Sequence, residues 1–161
     1  SLTNRLGIEE GTVLDNPLIE YCLKNDDLGD PLISREHILS FDWMNIMELE
    51  LINDQCKRIN DFLQGMFRGV GIKLVDFKIE FGRSAKDNSI ILADEISPDT
   101  CRLWDMKTDK KMDKDRFRND LGNLIGAYQD VARRLGILHE QSNIRPIKFT
   151  KPKAVKLKKN K

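Results

Sequence analysis

The chain has 161 residues, 33% charged and 40% apolar, with a formal net charge of +1. That balance predicts a soluble folded domain rather than a disordered segment, with length enough for one sizeable core. No apolar run approaches the ~20 residues of a membrane span. The near-neutral total hides a split. Residues 145–161 hold eight basic residues and no acidic one, leaving 19 of the 27 basic residues and all 26 acidic ones in an acidic body. A basic tail can touch nucleic acid, but this one has a single aromatic, Phe149, and no stacking pattern, so a solvated or packing tail is the better reading. Cys22, Cys56 and Cys101 are odd in number and widely spaced. They form neither a metal cluster nor a disulfide framework, which predicts a reducing compartment, the cytoplasm.

In chain order, residues 1–15 hold no single period and read as short strands and turns. In "NPLIEYCLKNDDLGDP", Asn16 and Pro17 fit a helix cap, but Ile19, Tyr21 and Leu23 alternate as a strand does, the preferred reading, and the segment ends in a turn-rich loop with Asp26, Asp27 and Asp30 and Lys24 at its mouth. "SREHILSF" predicts a short helix capped by Ser34. Residues 45–69 predict a long amphipathic helix: Ile52, Cys56, Ile59, Leu63, Met66 and Val70 recur at spacings of three and four, widened by Phe62 and Phe67. "IKLVDFKIEFG" switches to period two, with Val75, Phe77, Ile79 and Phe81 assigned to the buried face and Leu74, Asp76, Lys78 and Glu80 to the other. "RSAKDNS" is a polar loop and "IILADEI" the strand returning antiparallel. A last helix is predicted from Asp113, its cap, to Leu135, with Phe117, Leu121, Leu124, Ile125, Tyr128, Ala132 and Leu135 as its stripe.

The chemistry gathers on the strand pair. Lys78 and Glu80 share one face, and Asp94 ends the returning strand. Facing carboxylates repel unless a cation lies between them, and a hard ion such as Mg²⁺ suits such a pair and usually holds phosphates as well. A solvated face with ordinary salt bridges is the rival reading. After the strand, Ser97, Pro98 and Asp99 make a rigid turn. From it Arg102 is offered for bidentate contact with an anion, anchored by burial of Trp104. Asp99 either fixes that guanidinium or binds a sugar hydroxyl, against the plainer reading of an Asx turn with an ion pair. Arg116 and Arg118 stand in the first turns of a helix, against its dipole, and call for a compensating anion. No phosphate-cradling glycine loop, dinucleotide fingerprint or serine elbow is present. His37, expected on a helix surface, and His139 lie too far apart in sequence to promise a zinc site.

Two stretches, "LVDFKIEFG" (74–82) and "IILADEISPDTCRLWD" (90–105), resemble the signature stretches of the SAICAR synthetase family. "SLTNRLGIEEG", "LKNDDLGDP", "MDKDRFRNDLG" and "YQDVARRLG" resemble it too, in the same order, so the likeness covers nearly all of residues 1–140. It implies an α+β fold similar to ATP-grasp and kinase-like nucleotide sites, here its C-terminal lobe, with antiparallel strands packed against two long helices. It implies ligation of L-aspartate to carboxyaminoimidazole ribonucleotide through an acyl phosphate, with ATP and Mg²⁺ as cofactors. By position, Glu80 and Asp94 would hold the metal and nucleotide, with Lys24 near ATP. Ser1, Asp30, Arg102 and Arg118 would bind the ribonucleotide. Lys78 would sit near the reacting carboxylate, and Asp99 would support the loop. Three departures stand out. The chain starts inside a family motif, which implies either a processed or truncated chain or an N-terminal lobe supplied by a separate chain. The "RSAKDNS" loop is longer than that of bacterial relatives, and so is the basic tail, residues 141–161. Another acid–amine ligase on the same scaffold, or a non-catalytic nucleotide-binding fragment, are the alternatives. A homo-oligomer is compatible with the sequence, which has no clear apolar patch to specify one.

Overall fold

The computed structural model describes residues 2–119 and 121–138, without the side chains of Asn4, Phe117 and Arg118. Ser1, His139 and the basic tail lie outside the described residues. The elements, in chain order, are α1 (Leu2–Leu6), β1 (Tyr21–Cys22), a 3₁₀ turn (Asp26–Leu28), β2 (Leu32–Ile33), α2 (Arg35–Ser40) and α3 (Ile46–Gly69). There follow β3 (Ile72–Phe77), β4 (Glu80–Arg83), β5 (Ile90–Ala93), β6 (Cys101–Asp105), α4 (Asp115–Arg118) and α5 (Leu124–Arg134). The strands form three antiparallel pairs, β1 with β2, β3 with β6, and β4 with β5.

Helix α3 forms where local signals agree. Asn45 and Glu48 make a reciprocal capping box, each side chain accepting the other's backbone N–H at 3.0 Å. Leu49, Ile52, Leu63 and Phe67 are buried along one stripe. Each such side chain contributes roughly 1.5–3 kcal/mol on leaving water. Phe62 was expected to widen that stripe but is 69% exposed, because it sits a fifth of a turn or more off the face that meets β3. Helix α2 carries the expected Ser34 cap, closed from the other side by the His37 ring.

The core lies between α3, the β3–β6 pair and α5. Leu63, Phe67, Ile72, Cys101, Leu103, Met112 and Val131 are its buried members. Four expectations change here. The first residues form helix α1 rather than strands. "IKLVDFKIEFG" is not one strand: β3 shifts register between Leu74 and Asp76 and stops at Phe77. That bulge puts Leu74 and Phe77 against the core and leaves Val75 36% exposed. "CRLWD", read as the end of a turn, is strand β6. It pairs with β3, so the β4–β5 hairpin is an excursion between paired strands.

The fourth correction concerns the second long helix. It breaks into α4, four residues, and α5, eleven. Gly122 and Asn123 both take left-handed backbone, φ 65° and 49°, and two such residues in succession cannot continue a right-handed helix. The stripe moves with the break: Ala127 and Val131 are buried, while Leu121 and Ile125 are 49% and 60% exposed. Among the described residues, no helix is long and apolar enough to cross a membrane, and Cys22, Cys56 and Cys101 are free thiols.

Candidate functional site

The loop after β1 is built by its own side chains. Asn25 Oδ1 accepts from Leu28 N at 3.1 Å, and Gly29 closes the 3₁₀ turn at φ 69°. Asp30, itself left-handed at φ 49°, accepts from Asn25 N through Oδ1 at 2.9 Å. This leaves Asp30 Oδ2 facing two ammonium groups, Lys78 Nζ at 3.4 Å and Lys24 Nζ at 3.8 Å. Lys24 Nζ also reaches Asp26 Oδ1 at 2.5 Å. Lys78 Nζ lies 3.0 Å from Glu80 Oε1. Lys24, Asp30, Lys78 and Glu80, drawn from two distant stretches, therefore form one connected charged cluster, with Lys24 and Lys78 about half exposed.

The charges support one another. The Asn25 amide, with Lys78 and Lys24 beside it, holds the Asp30 carboxyl below the usual carboxylate range. The hydrogen bond to Glu80 leads the causes that raise Lys78, and the bond to Asp26 does the same for Lys24. Both lysines are therefore fully cationic at neutral pH. Lys78 and Glu80 do not share a continuous strand face as expected. Lys78 sits in the break between β3 and β4, and its amide donates to Thr100 O at 2.8 Å. Glu80 pairs in register with Ala93, so Asp94 follows directly on the position opposite Glu80, at φ 65°.

The turn before β6 is knotted by hydroxyls. Ser97 N donates to Thr100 Oγ1 and Asp99 N donates to Ser97 Oγ, at 3.0 and 3.1 Å. The Asp99 carboxylate accepts from Tyr128 of α5 and lies 3.7 Å from Lys114 Nζ. It ties the turn to α5 and does not fix Arg102, one of the two roles foreseen for it. That task falls to residues the sequence reading passed over. Arg102 Nη1 meets Asp76 Oδ2 at 2.9 Å across the β3–β6 pair, and its Nε meets Asp115 Oδ2, also at 2.9 Å. Asp76 stands opposite Arg102 only because β3 and β6 pair, and no local pattern signals that pairing.

Arg116 needs no anionic ligand. It is 8% exposed, and its guanidinium donates to the carbonyls of Lys111, Leu121 and Gly122 at 2.9–3.1 Å. It satisfies the backbone of the helix break. Arg118 lies on α4, with its side chain outside the described residues, as Ser1 is altogether. A hollow of about 390 Å³ beside α5 is lined by Asp105, Met112, Arg116, Ala127, Asp130 and Arg134, among others. It lies apart from the Lys78 cluster. Several of its ions are engaged already: Arg134 Nη2 is 2.7 Å from Asp105 and 3.1 Å from Asp130.

Residues 1–135 match the family model for SAICAR synthetase. The phosphoribosylaminoimidazole-succinocarboxamide synthase of Pelagibacter ubique (strain HTCC1062) is 66% identical over 161 residues, covering 99% of this chain and 62% of that protein. The solved structure of the synthase from Ehrlichia chaffeensis superposes with a TM-score of 0.81 at 50% identity, over 85% of this chain and 59% of that one. A SAICAR synthetase solved in complex with ADP superposes with a TM-score of 0.78 at 44% identity, over 83% of this chain and 57% of that one. The chain thus spans about three-fifths of the length of the relatives it matches. With motifs, fold and identity in agreement along nearly all of its described length, the chain belongs to the SAICAR synthetase family.

Proposed function

We propose that the chain carries the substrate and nucleotide lobe of an ATP-dependent carbon–nitrogen ligase. The enzyme joins L-aspartate to carboxyaminoimidazole ribonucleotide and releases SAICAR, ADP and phosphate. The observation that carries this reading is the connected Lys24–Asp30–Lys78–Glu80 cluster, in a chain similar to a synthetase solved with ADP. The γ-phosphoryl group of ATP passes to the substrate carboxylate, forming an acyl phosphate. The aspartate amine then attacks the acyl carbon, the C–O bond to phosphate breaks, and the amine proton is lost. Lys78 offsets charge on the reacting carboxylate, and Lys24 does so on ATP. Asp30, Ser1, Arg102 and Arg118 hold the ribonucleotide, and Asp99 keeps the turn in place.

Glu80 and Asp94 would hold Mg²⁺. Among the described residues, no group of three or more His, Cys, Asp or Glu side chains stands ready for a metal. Glu80 stands opposite Ala93 and Asp94 is the residue after it, where β5 has ended, and an ion held there would take its remaining ligands from phosphate and water. Bound there, the ion would neutralise phosphate charge. The remaining lobe, in the same polypeptide or a separate one, completes the nucleotide cleft, and the reaction belongs in the cytoplasm. The surface leaves room for self-association.

The test is ADP release measured with and without aspartate, on the chain alone and on the chain joined to the uncovered part of the Pelagibacter ubique relative. Aspartate-dependent release by the joined protein, with little by the chain alone, is expected. Turnover at a normal enzyme rate by the chain alone would overturn the division into lobes. ADP release indifferent to aspartate would favour another acid–amine ligase. In the joined protein, Glu80→Gln and Asp94→Asn should fold and lose metal-dependent turnover. Full activity of either at limiting Mg²⁺ removes its metal role.

A further inference from the structure

Arg102 sits in a closed frame of its own neighbours. The carboxylate of Asp113, 1% exposed, accepts two backbone amides: Leu103 N at Oδ2, 2.7 Å, and Asp115 N at Oδ1, 2.8 Å. Leu103 follows Arg102 on β6, and Asp115 opens α4. Asp113 therefore bolts the start of α4 to the strand beside Arg102. Asp115, whose side chain is 10% exposed, returns its own Oδ2 to Arg102 Nε at 2.9 Å. The loop runs from Arg102 through Leu103, Asp113 and Asp115 and back to Arg102. From the other side, Asp76 holds Nη1 at 2.9 Å.

A guanidinium is planar, with five N–H donors in a rigid fork. Nη1 donates to Asp76 Oδ2 and the Asp115 carboxylate lies 2.9 Å from Nε, so carboxylates on two edges restrict the guanidinium plane and with it the direction of Nη2. The side chain remains 31% exposed. Two carboxylates also lower the local positive charge, so the frame trades raw attraction for direction. That is the arrangement wanted where an anion must be held in one pose rather than merely attracted.

We propose that Asp115 is a positioning residue for Arg102, with Asp113 as its strut, and that the frame aims the Nη2 edge of Arg102 at the phosphate of the ribonucleotide. The inference rests on the role given to Arg102 under the proposed function. Asp113 and Asp115 touch no substrate in this scheme; they act through the arginine.

The test uses the joined protein of the turnover assay, labelled with ¹⁵N, with the side-chain Nε–H signal of Arg102 assigned. Titration with carboxyaminoimidazole ribonucleotide, with its dephosphorylated ribonucleoside and with Mg-ATP is followed by chemical shift, which detects weak binding. Arg102 should move with the ribonucleotide and stay still with the ribonucleoside. Asp115→Ala should weaken ribonucleotide binding about tenfold, and Asp115→Asn, which keeps an acceptor oxygen, should recover about a third of that loss on a logarithmic scale. Mg-ATP affinity should hold within about twofold, and slow exchange of the Leu103 amide should persist, since Asp113 is intact. Unchanged or tighter ribonucleotide binding in Asp115→Ala would overturn the proposal, the latter because the carboxylate would then be only a competitor for the cation. Arg102→Ala separates the two levels. If it leaves ribonucleotide binding unchanged, or if the wild-type Arg102 signal ignores the ribonucleotide, the role of Arg102 fails and the frame with it. If Arg102→Ala weakens binding and Asp115→Ala does not, the positioning role alone fails.

Discussion

Two regions of this molecule hold many charged residues and use them in opposite ways. Around 103–123, charges are turned inward on the backbone. Asp113 accepts two amides, Arg116 donates to three carbonyls, and Asp105 accepts from Lys107 N and Thr108 N while pairing with Arg134. Around 24–30 and 78–80, charges face one another across a half-exposed surface, and only Asp30 has a backbone amide tied to its carboxylate. The first region is a framework, since a buried ion must be fully paired or its desolvation is not offset. The second keeps donors and acceptors that water reaches and a ligand can displace. The same residue types become structure or site according to burial and to what completes their hydrogen bonds.

The sharpest way to break the contrast is to empty the framework's apolar side. Leu103, with no exposed surface, truncated to alanine should lose between ~2 and ~5 kcal/mol of stability, read by urea unfolding. Arg116→Ala should follow at about 3 kcal/mol, because it takes a donor from the Leu121 and Gly122 carbonyls at the helix break and from that of Lys111 before α4. A much smaller loss would mean that water replaces the guanidinium and that the break holds itself. On the other side of the comparison, Glu80→Gln should leave the urea midpoint essentially where it was while abolishing metal-dependent turnover in the joined protein. A cooperative loss of fold would move Glu80 into the framework class.

An intermediate case sharpens the rule. Arg83 clasps Glu48 with both terminal nitrogens, at 2.5 and 3.0 Å, tying the β4–β5 hairpin to the start of α3. This bond, with the Asn45 amide, lowers the Glu48 carboxyl to about 2. A carboxyl depressed on folding stabilises above its unfolded range and loses that contribution as pH falls toward the folded value. The urea midpoint should therefore fall between the ordinary carboxylate range and about pH 2, and Glu48→Gln should flatten part of that slope. The smallest effect is expected at Phe62, 69% exposed. Phe62→Gln should change stability by no more than about 0.5 kcal/mol, whereas Phe67→Ala, five residues on and buried, should cost ~3 kcal/mol or more.

The elements legible in the sequence are those whose causes are local. Helix α3 was readable because its apolar repeat runs unbroken through one stretch, and the β4–β5 hairpin because a short polar loop leaves few other pairings. The turn at 97–100 was readable from Ser-Pro-Asp. The pairing of β3 with β6 was not, because a whole hairpin intervenes and nothing near Cys101–Asp105 says which strand it will meet. The bulge after Leu74 put Leu74 in place of Val75 on the core side, while Phe77 stayed there as expected, for the same reason: alternation is a local pattern, and a register shift is decided by the partner. The second helix misled because Leu121 and Ile125 keep an apolar rhythm through a segment that Gly122 and Asn123 had already turned.

The sequence by itself determined the ingredients: a long capped helix, a hairpin, a charged loop after β1, a proline turn, and the family motifs that bind them in order. Only the tertiary structure decided the company each charge keeps. It brought Asp30 to Lys78 across 48 positions and Asp76 to Arg102 across 26, and gave Arg116 to the backbone. The physical reason is range. Helix caps and turns act within a few residues, where sequence spacing is also spatial spacing. The partner of an ion is set by chain crossings that no local pattern encodes.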